Sequence, residues 1–399
     1  MFFDLERDPK KEITEYSTVI EDRLYISTKE WDNLLHYFSE EEIKTHLSEE
    51  IKKLPFPLRE YEINEVKKDW LKLKQAEIEI KNIEWENPRQ VKGLDCKFSD
   101  QPLLVFGNNR GKTVSDQFTQ IIRMGCGYHS SKSPIYEWEN SDKKNNFLRG
   151  FFGFRSDEPY TRGGINSQTL RRAIMSHSYM AQQFRPVVAK WIYEFFDAKN
   201  VLDFSAGWGD RLVGFHASNA ISYVGIDPNT KLHEKYEAIS DFCNTKKKTE
   251  FICSPAEDAD LTGLEFDFVF TSPPYFTLER YSKEETQSWK RYPKMEKWLE
   301  GFLFPTLTKC WSHLSEGGRI CVNIADAYTK GEREEICLPM LKHMESLGAT
   351  YEGLIGYEMG ARPGKNMGDS SLMFCEPIWV WSKGEAPEPK YKSDNFFGV

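Results

Sequence analysis

The run Phe266-Asp267-Phe268-Val269-Phe270 leads straight into Thr271-Ser272-Pro273-Pro274-Tyr275-Phe276. That junction limits the possible fold more than any other stretch. The apolar run predicts a buried strand. Two successive prolines offer no backbone N–H, so ladder pairing stops and the chain leaves the sheet at the strand's carboxyl end. In open α/β sheets that edge is where ligands bind. The stiff turn presents a small hydroxyl (Ser272), the carbonyls around Pro273, and the rings of Tyr275 and Phe276. Such a set suits a planar base with an exocyclic amine: hydroxyl and carbonyl accept the amino protons, and a ring stacks on the base. A strand followed by a plain proline turn is the simpler reading of the same residues.

Three more strand ends precede this one at short intervals. Asn200-Val201-Leu202-Asp203-Phe204-Ser205-Ala206-Gly207-Trp208-Gly209-Asp210 reads as a strand, a Gly-rich turn and a helix start. Gly207 and Gly209 permit positive φ and close approach of a ligand. About twenty residues on, Tyr223-Val224-Gly225-Ile226-Asp227 reads as a strand ending in an acid, suited to ribose hydroxyls. A third strand, Glu250-Phe251-Ile252-Cys253, is followed by Glu257 and Asp258, which suit the amino group of an adenine. One G-x-G is a weak signal. Four strand ends in series, each with a fitting polar group, predict a doubly wound α/β sheet with a nucleoside-like ligand along one edge.

Residues 180–383 resemble the catalytic domain of S-adenosylmethionine-dependent amino methyltransferases that act on DNA. Phe204–Gly209 resembles their cofactor motif, although Pro more usually follows the Asp there and a small residue stands in place of Trp208. Arg185-Pro186 resembles the basic residue and proline that open the preceding helix. Ser272-Pro273-Pro274-Tyr275 matches the catalytic motif, and Ser in its first place is typical of the cytosine-N4 branch. Tyr281, Tyr292, the Leu314–Gly318 turn and the closing segment Glu376–Lys383 also resemble that branch. The resemblance implies a Rossmann-like sheet of seven strands with the last pair antiparallel. It implies S-adenosylmethionine held by Asp203, Phe204, Ser205, Ala206, Gly207, Gly209, Asp227, Glu257, Asp258, Thr271 and Arg185. Ser272, Pro273, Pro274 and Tyr275 would then be the catalytic residues, acting on a flipped-out base by direct in-line transfer, with no metal. No Pro-Cys pair offers the thiolate that methylation at carbon 5 requires.

Only 61 residues separate Gly209 from Thr271, enough for the intervening strands and helices but not for a target-recognition domain. Sequence reading must then come from elsewhere, and charge points to the middle of the chain. Residues 1–100 are net −7 and residues 201–399 net −8, whereas residues 101–200 are net +6 and richer in Arg than Lys. Arg forks onto phosphates and stacks on bases. Arg155, Arg162 and Arg171, interleaved with Phe151, Phe152, Phe154 and Tyr160, are candidate contacts, as are Arg362 and Lys365 in the Gly360–Gly368 loop. A loop-rich subdomain with its own small aromatic core is the alternative. The sequence Gly107-Asn108-Asn109-Arg110-Gly111-Lys112-Thr113 after the strand-like Leu103–Phe106 is one residue short of a nucleotide-binding P-loop, but could hold a polynucleotide phosphate.

The expected organisation is an acidic, mostly helical accessory region over 1–100 that could meet a protein partner or a second copy. A basic region over 101–166 for nucleic acid, most simply DNA, follows. A methyltransferase domain over 167–385 and a tail over 386–399 complete it. No run of 18 apolar residues suggests a membrane span. Eight Cys without a C-x-x-C pair, and a charged start, fit a reduced, cytoplasmic protein of a bacterial or phage-type host. An adenine-N6 enzyme, an RNA or small-amine methyltransferase, and an inactive nucleic-acid-binding module of the same fold remain as alternatives.

Overall fold

The computed structural model describes residues 18–20, 23–25, 34–86, 95–128, 132–140, 166–178, 180–329, 332–359 and 373–390. The chain forms two compact units: residues 1–60 with 120–181, and residues 61–119 with 182–399. The divisions expected at 100 and 166 do not coincide with these units. Arg155, Arg162, Arg362 and Lys365 lie outside the described residues.

In the first unit, Thr18–Ile20 and Arg23–Tyr25 pair as an antiparallel hairpin. Helices Glu40–Lys53, Pro134–Glu139 and Ser167–His177 supply the core, in which Leu34, Ile43, Leu47, Ile51, Trp138, Leu170 and Ile174 cluster. Ser39 and Glu42 close a reciprocal capping box at the first helix, satisfying donors that a helix start leaves open. The third helix ends at His177, with Ser178 extended at its cap. Arg171 lies on this helix, partly buried.

The second unit is built on one ten-stranded sheet. Its strands, in chain order, are β1 (Ile80–Asn82), β2 (Trp85–Glu86), β3 (Leu103–Val105), β4 (Asn200–Asp203), β5 (Ser222–Ile226), β6 (Lys248–Ile252), β7 (Phe266–Thr271), β8 (Leu314–Asn323), β9 (Thr350–Glu358) and β10 (Met373–Ser382). The spatial order is β1-β3-β9-β10-β8-β7-β4-β5-β6, with β2 beside the start of β10. Strands β4 to β8 are mutually parallel, and β10 runs antiparallel to both β8 and β9. The seven strands from β6 to β9 are therefore the doubly wound sheet with its last pair antiparallel. Two strands from residues 80–105, β3 and β1, extend it past β9, β3 pairing parallel with β9 and β1 antiparallel with β3. The Leu314–Gly318 turn falls at the start of β8, where Gly317 takes φ +75°.

Helices flank this sheet. In α1 (Ile63–Lys74), Val66, Trp70 and Leu73 recur at helical spacing and are buried. Helix α2 (Lys112–Met124) belongs to this unit through Thr119. Helix α3 (Pro186–Phe195) begins with Pro at a first-turn position and is buried on nearly every face. Helices α4 (Asp210–Ala217) and α5 (Thr230–Cys243) follow β4 and β5. No helix among the described residues is long and apolar enough to cross a membrane.

From β4 the chain winds outward through β5 and β6, then returns to β7 on the other side of β4. The order reverses between β4 and β7, which leaves a crevice at their carboxyl ends. Gly209 caps α4 beside that crevice at φ +79°, and a Cβ there would lie 2.6 Å from Ile239 Cδ1. Gly209→Ala should cost about 1–3 kcal/mol through backbone strain and overpacking. Urea unfolding checks this; an unchanged midpoint would mean that the loop relaxes without cost.

Candidate active site

The Gly-rich turn after β4 is held from below by charge. Asp203 is fully buried and accepts from Arg211 Nε at 2.8 Å and Nη2 at 3.1 Å. Tyr223 Oη donates to the same carboxylate at 2.8 Å, and the Ser205 amide donates at 3.2 Å. Burial alone would lower the Arg211 pKa; Asp203 more than reverses it. Asp203 was expected among the cofactor contacts. The structure instead turns its carboxylate inward, where it shapes the loop.

Above that pair the loop is fixed atom by atom. The Ala206 amide donates to the Ile226 carbonyl at 2.9 Å, and the Gly207 amide to Asp227 Oδ2 at 2.9 Å. Tyr236 Oη donates to the Gly207 carbonyl at 2.7 Å. Gly207 has φ +55°, and a Cβ on it would meet only the Ser205 carbonyl, at 3.6 Å. Phe204, Ala206 and Trp208 are buried, and Trp208 Nε1 donates to the Gln182 carbonyl. The open face of the turn is thus backbone at Ser205–Gly207.

Asp227 stands just past β5. Its carboxylate accepts from the Gly207 and Asn229 amides, both at 2.9 Å. A carboxylate has about four acceptor positions, so two remain. Burial is the largest influence and raises its pKa to about 7, with Asp203 adding to it and the two amides opposing. This is a desolvated acid in need of further donors.

Across the crevice, β7 ends at Thr271, whose hydroxyl is fully buried and has no protein partner among the described residues. Ser272 is half-buried, and its Oγ lies 3.5 Å from Asn323 Oδ1 on β8. Pro273 is buried and Pro274 partly so. Tyr275 Oη donates to Glu376 Oε2 at 3.0 Å, and the Tyr275 amide to Glu279 at 3.2 Å. Phe276 sits at φ +55° with its amide on the Pro274 carbonyl at 2.9 Å. A bulky residue in that region carries strain of order 1–3 kcal/mol. Its ring, 4% exposed, packs edge-on against Trp298, which is buried. Packing on Trp298 holds the Phe276 ring in the protein interior.

Other expected contacts are engaged elsewhere. Glu257 and Asp258 both pair with Arg291, at 2.6 and 2.8 Å. Burial still raises the Glu257 pKa, against the nearby Arg291. Arg185 Nη1 donates to the Glu358 carbonyl at 3.1 Å, tying α3 to the end of β9. In the loop after β3, Asp69 accepts from the Thr113 amide at 3.2 Å and its hydroxyl at 2.7 Å. Sequence reasoning missed Arg211, Asn323, Glu376 and Arg291. Only Arg211, the second residue of α4 and eight residues after Asp203, was within reach of a local pattern.

The strand order defines a doubly wound, Rossmann-like α/β fold with two motifs at its switch point. Residues 266–394 match the N6/N4 family model described as DNA methylase. The match begins at β7 and runs past β10, and leaves out the Gly-rich turn. No curated protein sequence matches the chain. Among solved structures, an S-adenosylmethionine-dependent O-methyltransferase from Thermotoga maritima is 13% identical, covering 54% of this chain and 71% of that one, with a TM-score of 0.33. TrmN from Thermus thermophilus is 15% identical over 50% of this chain, which spans about half (49%) of TrmN's length, with a TM-score of 0.35. Magnesium protoporphyrin IX methyltransferase from Synechocystis, solved with bound SAH, is 12% identical over 49% of this chain and 80% of that one, with a TM-score of 0.33. The fold assignment stands on the strand order itself.

Asp227 makes a pH-dependent contribution. Its raised folded pKa favours the neutral acid, so its stabilisation is complete below the unfolded value near 4 and is lost as pH rises through about 7. Relative to wild type, Asp227→Ala should therefore be more stable at pH 8 than at pH 5. Urea unfolding of the pair checks this, and a difference that stays flat across that range would show Asp227 already ionised at pH 5.

Proposed function

We propose that this protein transfers a methyl group from S-adenosylmethionine to the exocyclic amine of a base in DNA, most simply N4 of cytosine. One observation carries the reading. The Ser272 hydroxyl, on a DNA-methylase-matched segment, and the Gly207–Asp227 turn lie on the two sides of one switch point.

The residues at the turn fit the cofactor. Gly207 leaves room for close approach, and Asp227 retains two acceptor positions for a ribose diol. Ser205, Ala206 and Gly209 complete the turn, and the Thr271 hydroxyl, without a partner among the described residues, is the polar group nearest in sequence to Ser272. When bound, S-adenosylmethionine supplies an electrophilic methyl group.

This chain's own residues act on the acceptor. An aromatic amine is a weak nucleophile because its lone pair is delocalised into the ring. Ser272 Oγ and the Pro273 carbonyl accept the two amino protons and hold the nitrogen in a more sp³-like shape. Pro273 and Pro274 keep these acceptors rigid, so little reorganisation is needed at the reaction. Tyr275, with its hydroxyl anchored on Glu376, supplies the face of the base pocket. Serine carries no charge, which suits cytosine; an acid in its place would accept more strongly. Arg155, Arg162, Arg171, Arg362 and Lys365 are proposed phosphate contacts on the polymer.

Ser272→Ala should lower turnover by roughly 10²–10³ and leave cofactor binding in place, the scale on which one preorganised partner acts. Asp227→Ala should do the opposite, weakening S-adenosylmethionine binding by about 1–3 kcal/mol. Calorimetry and nucleoside mass spectrometry of digested product DNA check both. The expected product is the 4-methylcytosine deoxynucleoside. A 6-methyladenine product would overturn the cytosine assignment alone, and no methylated base in DNA or RNA would overturn the reading.

A further inference from the structure

We propose that Asn323 is a positioning residue that fixes the Ser272 hydroxyl as an acceptor, so that only a donor such as an amino N–H can engage it. The proposal rests on the amino-transfer reading above. In the β7–β8 register Thr271 pairs with Val322, so the next residues on each strand, Ser272 and Asn323, lie side by side at the carboxyl edge. Asn323 is 2% exposed, whereas Ser272 is half-buried.

The amide orientation of Asn323 follows from its neighbours. Asn323 Nδ2 donates to the Pro377 carbonyl at 3.2 Å. A carbonyl oxygen only accepts, so reversing the amide would set oxygen against oxygen in a buried place. Asn323 Oδ1 must then face Ser272 Oγ, 3.5 Å away. An amide oxygen also only accepts, so the serine proton points towards it. Such contacts are often long without substrate and tighten in the complex.

A serine hydroxyl has one proton and two lone pairs. With its proton committed to Asn323, Ser272 presents lone pairs alone. An arriving amino group finds an acceptor, while a ring nitrogen or carbonyl oxygen finds only another set of lone pairs. The same stretch of β10 braces the rest of the turn, since Glu376, next to Pro377, accepts the Tyr275 hydroxyl at 3.0 Å. Asn323 thus acts through Ser272, and does not itself touch the substrate.

A double-mutant cycle tests this. Full-length wild type, Asn323→Ala, Ser272→Ala and the double variant are compared for kcat, KM for DNA and S-adenosylmethionine affinity, with urea midpoints as a check on folding. Asn323→Ala should lower kcat roughly tenfold or more, by loss of preorganisation, and leave KM and cofactor affinity near wild type. Added to Ser272→Ala, it should lower kcat no further. Asn323→Val, close in volume, takes its place in the cycle should the alanine variant not fold. Wild-type kcat in the single variant, or losses that multiply in the double variant, would overturn the role of Asn323 while an N-methylated base still forms. A wild-type protein that forms no N-methylated base would overturn this proposal together with the reading on which it rests.

Discussion

A carboxylate and a guanidinium, both out of water, support the whole ligand edge. Asp203 and Arg211 form two hydrogen bonds beneath the Gly-rich turn, and Tyr223 closes the set from the neighbouring strand. Removing one partner of such a pair costs about 3–5 kcal/mol, because the other charge stays buried and uncompensated. That penalty holds the turn, and with it the Gly207 amide, in one place. Through Gly207 the constraint passes to Asp227, and through Tyr236 to α5. Ligand-facing groups fixed in this way need little reorganisation when a ligand arrives.

The second half of the site depends on a different device. Pro273 and Pro274 stop β7 from continuing, and the packing of Phe276 on Trp298 holds the turn in a strained form. Neighbouring strands then supply what the prolines cannot. Asn323 comes from β8 and Glu376 from β10. The antiparallel strand at this end of the sheet therefore braces the Pro273–Pro274 turn as well as the sheet. One half of the crevice is organised by a buried ion pair, the other by prolines and a short chain of neutral hydrogen bonds. The first suits a ligand that offers hydroxyl donors, the second one that offers an amine.

Much of this was legible in the sequence because it is local. Strand, turn and polar group follow one another within about ten residues at β4, β5 and β7, so the sheet edge could be traced from Asp203 to Ser272. Pairings between distant segments were not legible. The strand at Leu103–Val105 was visible, but nothing local says that it joins β9, some 250 residues later. Nor does any spacing reveal that Arg291 takes both Glu257 and Asp258, or that Asp69 takes the start of α2. An acid at a strand end looks the same in sequence whether it faces a ligand or a guanidinium. Asp227 kept its free acceptor positions and Asp203 did not, and only the fold distinguishes them.

The central claim is that one crevice holds the methyl donor on its β4 side and the amine on its β7 side. A crystal structure of the full chain with S-adenosylhomocysteine tests it most directly. The account predicts the ribose hydroxyls on Asp227, the nucleoside along the Ser205–Gly207 backbone, and the sulfur directed towards Ser272. A ribose bound away from Asp227, or a sulfur directed away from the Ser272 turn, would contradict it.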